Sequence, residues 1–95
     1  MNLQTPKLGD FGISLSGHDK GRMYVVIKVI DAEFVLVADG KYRGMKNPKK
    51  KRLKHLKLDG ITAAPATVEK LVDGNLKDNE LHKLVLAKQK ANGQN

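Results

Sequence analysis

Two apolar runs joined by a three-residue turn govern what this chain can become. Arg22 to Ile30 (RMYVVIKVI) and Phe34 to Ala38 (FVLVA) are dense in Val, Ile and aromatic side chains, which fit the pleated surface of a sheet better than a helix. The first run sets Met23, Val25, Ile27 and Val29 on one face and Tyr24, Val26 and Ile30 on the other. Asp31-Ala32-Glu33 supplies the turn. Upstream, Asp10 to Leu15 (DFGISL) alternates Phe11, Ile13 and Leu15 in the period of a half-buried strand, which Gly12 weakens. Between these strands, Ser16 to Gly21 reads as a hairpin loop, with Gly17 and Gly21 free to adopt positive φ. Asp39-Gly40 marks a tight turn after the FVLVA strand. Leu56, Leu58 and Ile61 are expected to form a last short strand, with Asp59-Gly60 as a turn or bulge. Three to five short strands within about fifty residues make a small barrel, so the class is mainly β.

From Ala66 the apolar period lengthens. Thr67 is placed to cap a short helix carrying Val68, Leu71 and Val72, and Gly74 to end it. Asp78 is placed to cap a second helix with Leu81, Leu84 and Val85 as its stripe, Glu80 near its positive end and Lys88 and Lys90 near its negative end. The expected organisation is an N-terminal arm (1–8), a barrel (9–61) and a helical tail (62–95) of one or two short helices, with Ala63-Ala64-Pro65 as the joint.

Charge separates the chain into two unlike parts. Lys and Arg total 18 against 10 Asp and Glu, a formal charge of +8. Residues 41–57 (KYRGMKNPKKKRLKHLK) hold nine of those cations and no acid, so the rest of the chain is close to neutral. A block of this kind is either a solvated loop or a surface for a polyanion. Its density favours the second, because neutralising many phosphates at once releases their counterions and drives nucleic-acid binding. With no cysteine there is no disulfide framework, thiolate metal site or thiol nucleophile. No run approaches the ~18 apolar residues of a membrane span, and the opening residues lack the pattern of a secretory leader. A cytoplasmic protein without membrane attachment is therefore expected.

The segment from Gly17 through Lys20, Gly21 and Arg22 to Asp31 (GHDKGRMYVVIKVID) resembles the KOW motif, a Gly-x-x-Lys-Gly hairpin followed by an alternating apolar strand. The continuation Leu36 to Lys41 (LVADGK), then Pro48 to Lys51 and Lys54-His55-Leu56, looks like the small stand-alone bacterial KOW-domain RNA-binding proteins. These are similar to KOW-bearing large-subunit ribosomal proteins of archaea and eukaryotes. The resemblance covers residues 9–58, and more loosely Glu69 to Leu71 and Asp78 to Lys83. It implies an SH3-like barrel and RNA binding on the ribosome, ribosomal RNA being the expected partner. His18 departs from the pattern, since Arg is commoner there, and so does Gly12.

The candidate RNA-binding residues are Lys20, Arg22, Lys41, Tyr42, Arg43, Lys46, Lys49, Lys50, Lys51, Arg52, Lys54, His55 and Lys57, with Gly17, Gly21, Asp39 and Gly40 as structural turn residues. Lys49 to Arg52 are expected to be exposed; Lys20 and Arg22, where the hairpin tip meets its strand, are either solvated or paired with Asp19, or in contact with RNA, which is favoured. Tyr42 is either buried or free to stack on an unpaired base, whereas Phe11, Tyr24 and Phe34 read as core. So few aromatics favour recognition of folded RNA through backbone and shape. His18, His55 and His82 have no metal-ligand spacing, and Asp31, Glu33 and Asp39 sit where carboxylates cap turns. Neither a cofactor, a metal nor an enzymatic activity is expected, and the protein is expected to be monomeric. A protein-interaction module of the transcription or translation machinery is the alternative, because SH3-like barrels also offer grooves and edge strands to peptides.

Overall fold

In the computed structural model, which describes residues 5–93, the β-branched runs form the centre of an antiparallel sheet. β1 is Asp10–Ser14, β2 Met23–Val29, β3 Phe34–Ala38, β4 Lys49–Arg52 and β5 Leu56–Thr62, with a single 3-10 turn at Leu53–His55 between the last two. The strand order is β4-β3-β2-β1-β5. Four strands meander, and the fifth returns along the free side of β1. This bears out the expected mainly β class, a small barrel-like domain of five antiparallel strands, followed by α1 (Pro65–Asp73) and α2 (Asp78–Ala91). No helix among the described residues is long and apolar enough to cross a membrane.

β4 is the element that local pattern does not announce. Its sequence is KKKR, and lysine is a poor strand former. Cross-strand pairing places it: Arg52, Lys51, Lys50 and Lys49 lie opposite Phe34, Val35, Leu36 and Val37 of β3. Lysines on an edge strand also discourage pairing with a second chain.

The sheet is covered on both faces, which explains the near-continuous apolar character of β2. On one side Tyr24, Val26, Val35 and Val37 pack with Leu53 and Leu56 to fill the barrel. On the other, Phe11, Met23, Val25 and Ala38 pack beneath Ala63, Leu71, Leu76, Leu81 and Val85. The helical tail thus shares a core with the sheet. Burial fades where the β2–β3 register shifts between Val26 and Lys28, leaving Val29 and Ile30 exposed. Leu15 departs from its expected core position: it lies beyond the end of β1 and is exposed.

Gly12 has a packing reason. A Cβ there would stand 2.9 Å from Leu56 Cγ and 3.1 Å from Leu58 Cδ2, so its absence lets β5 close over β1. The β1–β5 register shifts at this point.

Both helix starts differ from expectation. α1 begins at Pro65, whose fixed φ and missing N–H suit the first helical position, two residues before Thr67. Gly74 ends it with φ +72°. α2 starts from Lys77, whose N–H donates to Glu80 Oε1 at 3.2 Å. Asp78 turns away from its own helix, and its Oδ1 accepts the Met45 N–H at 2.7 Å. Val72 is exposed rather than part of the α1 stripe. At the other end of α2, Lys88 reaches Asp59 at 2.7 Å and ties the helix to the β5 bend. The first four residues of the expected arm and the last two of the tail lie outside the described residues.

Gly40 is the seat on which α2 rests. Its φ is +79°, and a Cβ would overlap the Asp78 carbonyl oxygen and lie 2.6 Å from the His82 nitrogen. Gly40→Ala therefore combines left-handed strain of ~1–2 kcal/mol with a backbone clash. The expected outcome is a fall of at least ~2 kcal/mol in stability, with faster amide exchange along α2 than in β2 and β3. An unchanged melting curve would show that α2 does not depend on this contact.

Candidate nucleic-acid interface

The hairpin between β1 and β2 is held to β4 by one carboxylate. Asp19 is buried and pairs with neither Lys20 nor Arg22; its Oδ1 accepts from Ser14 Oγ (2.9 Å) and Lys51 Nζ (3.1 Å). Its Oδ2 accepts from the Tyr24 hydroxyl at 2.7 Å and lies 3.0 Å from Lys49 Nζ. Lys51 Nζ also donates to the Ser16 carbonyl at 3.1 Å. Two of the four cations in β4 are thereby committed. Lys51 is buried and Lys49 half-buried, which corrects the expectation that all of Lys49 to Arg52 are exposed. The reason is the strand period: alternate residues point to opposite faces, so 49 and 51 face the hairpin while 50 and 52 face away. Burial alone would raise the Asp19 pKa, but donation from Tyr24, Lys49, Ser14 and Lys51 holds it far below the usual carboxylate range. Tyr24 moves the other way: burial and its bond to Asp19 push its pKa up to about 12.

From Tyr24 the connection runs outward. Interaction with the Tyr24 hydroxyl is the main reason that the Arg22 pKa is raised further. Arg22 in turn lies over the Tyr42 ring, 3.9 Å from its centroid, with Lys41 Nζ at 5.2 Å. Tyr42 is 60% exposed, which resolves the alternative left by sequence in favour of the surface. The loop carrying it is rigidly built: Asp39 Oδ1 accepts the N–H groups of Lys41 (3.0 Å), Tyr42 (2.9 Å) and Arg43 (2.9 Å). The N–H groups of Asp39 and Gly40 both return to the Arg43 carbonyl. Asp39 is thus buried structural scaffolding, as its place at a turn suggested, and Asp31 likewise accepts from Glu33 and Phe34 N–H groups.

A second cation–aromatic cluster sits on the outer face of β3 and β4. Lys50 Nζ and Arg52 Cζ stand 4.5 and 5.0 Å from the Phe34 ring centroid. Phe34, read from sequence as core, is half-buried and serves as the platform for these two side chains. Lys20 at the hairpin, Lys46 in the β3–β4 loop, Lys54 and His55 in the 3-10 turn and Lys57 on β5 are all exposed; Arg43 is half-buried. Gly17 and Gly21 both take positive φ at the hairpin, 86° and 88°. The structure therefore joins Arg22, Lys41 and Tyr42 in one group and Phe34, Lys50 and Arg52 in another. Sequence reasoning missed Asp19, Tyr24 and Phe34 as parts of this apparatus. An acid next to a Lys-Gly hairpin and opposite a lysine strand was the available signal, but it requires knowing that residues 49–52 are a strand.

Among the described residues no three His, Asp or Glu side chains gather as a metal site. No protein-family model matches the chain, and no match to it is found among curated proteins.

The Asp19 network makes a signed prediction about pH. A carboxylate held low contributes stability that is present above its ordinary value of 3.8 and is lost as the pH falls below it. A phenol held high contributes below its ordinary 10.0 and loses that contribution as the pH rises through about 12. Asp19→Asn leaves Lys51 buried without its counter-charge, at an expected cost of ~3–5 kcal/mol near neutrality, and removes this part of the acid limb. Lys51→Met, which leaves Asp19 three other donors, should cost less. Denaturant unfolding at several pH values checks both; parallel acid limbs in wild type and Asp19→Asn would assign the loss to other groups.

Proposed function

We propose that this protein is a non-enzymatic, KOW-type RNA-binding protein of the cytoplasm that associates with the ribosome. The observation that carries the reading is the sorting of charge. Of the nine cations in residues 41–57, Lys49 and Lys51 are held by Asp19, while the other seven make no ion pair among the described residues. Lys20 and Arg22 stand beside them in the same unpaired state. An array of cations that make no ion pair among the described residues suits a phosphate backbone. Arg22, Arg43 and Arg52 can each fork two hydrogen bonds onto a phosphate, and the lysines act as point charges. Phosphate contacts fix orientation without reading sequence, in keeping with recognition of a folded RNA such as ribosomal RNA.

Salt dependence tests this reading. If about five phosphates are neutralised, log K for a structured ribosomal RNA fragment falls against log salt with a slope of roughly −3.5 to −4.5. Replacing Arg43, Lys50, Arg52 and Lys54 together by Ala should flatten that slope by roughly 3 to 4 and leave the melting temperature close to wild type, because these groups hold no buried partner. Replacing Lys49 and Lys51 instead should lower stability. Binding with a shallow slope that survives the fourfold replacement would favour a protein partner of the translation or transcription machinery.

A further inference from the structure

Between the β3–β4 loop and α2 lies a cleft of about 210 Å³, lined by Arg22, Lys41 and Tyr42 on one side, by His82, Leu86 and Gln89 on the other, and floored by Met23 and Val85. We propose that this cleft receives one unpaired RNA base, so that α2 forms half of a nucleotide site; the inference rests on the RNA-binding reading above and adds its substrate class.

Four features of the cleft carry the proposal. Its volume falls below the ~300 Å³ at which sites for drug-sized ligands begin, which suits a single base better than a whole cofactor. It offers a flat surface that bases stack on, the Tyr42 ring, with the Arg22 guanidinium against one of its faces at 3.9 Å. Tyr42 and Leu86 are 60% and 50% exposed although they face a common cleft, leaving apolar surface on both walls that an inserted base would cover. His82 and Gln89 make no side-chain hydrogen bond among the described residues, and they supply the donors and acceptors that a base edge requires. Lys41 and Arg22 at the rim provide the charge for the flanking phosphates.

The site is also built in advance. Asp39 fixes the backbone of Lys41, Tyr42 and Arg43, Arg22 is stacked on the Tyr42 ring, and Gly40 lets α2 approach the loop closely enough to make a wall. Ordering such groups only on binding would cost affinity; here that cost is met in folding. The carboxylate within the cleft, Asp39, turns Oδ1 to three backbone donors.

The test compares two probes: a short, fully paired RNA hairpin and the same hairpin extended by an unpaired single strand. Both are titrated by fluorescence anisotropy at one salt concentration. Wild type should prefer the extended probe about 5- to 150-fold, the range of one stacked base. Tyr42→Ala and the double variant Leu86→Ala, Gln89→Ala should each erase that preference, read for every variant as the ratio of its affinities for the two probes, so that a general weakening of both does not count. All these positions are solvent-facing or at the helix surface, and circular dichroism melting checks that the variants fold. Equal binding of both probes by wild type would overturn the cleft and leave the RNA reading standing. Failure to bind either probe would overturn both. A preference lost in Tyr42→Ala but retained in the α2 double variant would exclude the helix as a wall and overturn the site as proposed.

Discussion

A single buried carboxylate decides the shape of this domain. β4 hydrogen-bonds only to β3, and β5 runs along the far side of β1, so the two outer strands of the sheet are not joined by a ladder. Asp19 spans the opening from the hairpin side by holding both inward lysines of β4, while the Ser16 carbonyl accepts a further hydrogen bond from Lys51. Removing ions from water is expensive, and such a network is favourable only when every donor and lone pair is used. That condition is met: four side-chain donors converge on the two carboxylate oxygens, and no buried side-chain polar atom among the described residues lacks a partner.

The same network sets the outward geometry. The Tyr24 hydroxyl that donates to Asp19 also raises the pKa of Arg22, which sits half-buried where the hairpin enters β2. Arg22 then meets Tyr42, whose loop is anchored by a second buried carboxylate, Asp39. Two acids, Asp19 with four side-chain donors and Asp39 with three backbone donors on Oδ1, thus order the hairpin and the loop that carry the outward cations and the ring. Acids placed at the surface would have formed ion pairs with the same lysines and reduced the attraction for phosphate.

The strands β1, β2 and β3, the hairpin, and the two helices were legible in sequence because period and β-branched content state them directly. What was not legible required tertiary knowledge. Nothing in KKKR announces a strand; only the ladder to Phe34–Val37 makes it one, and until it is one the inward and outward lysines cannot be told apart. Phe34 was read as core because aromatic residues in a strand usually are, yet its face of β3 is covered by Lys50 and Arg52 instead of by an apolar layer. The helix starts were misplaced for a simpler reason. Thr67 and Asp78 have capping side chains, but Pro65 pre-sets the first turn of α1, and the Asp78 carboxylate is drawn to the Met45 N–H across the chain.

The cations on β4 have a duty that is independent of any ligand. An edge strand with Lys50 and Arg52 pointing outward is protected against pairing with another copy, so their charge by itself says little about RNA. The β3–β4 loop is different. Lys41, Arg43 and Lys46 guard no edge and bury no ion pair among the described residues, and a turn of this kind folds as well with neutral residues at those positions, since Asp39 binds only their backbone. Mutual repulsion of these charges weakens the fold slightly, and stability offers no return for it. The loop charges, more than the strand charges, are therefore the part of the positive surface for which the fold itself offers no stabilising role, and the part that the proposed RNA-binding reading has to explain.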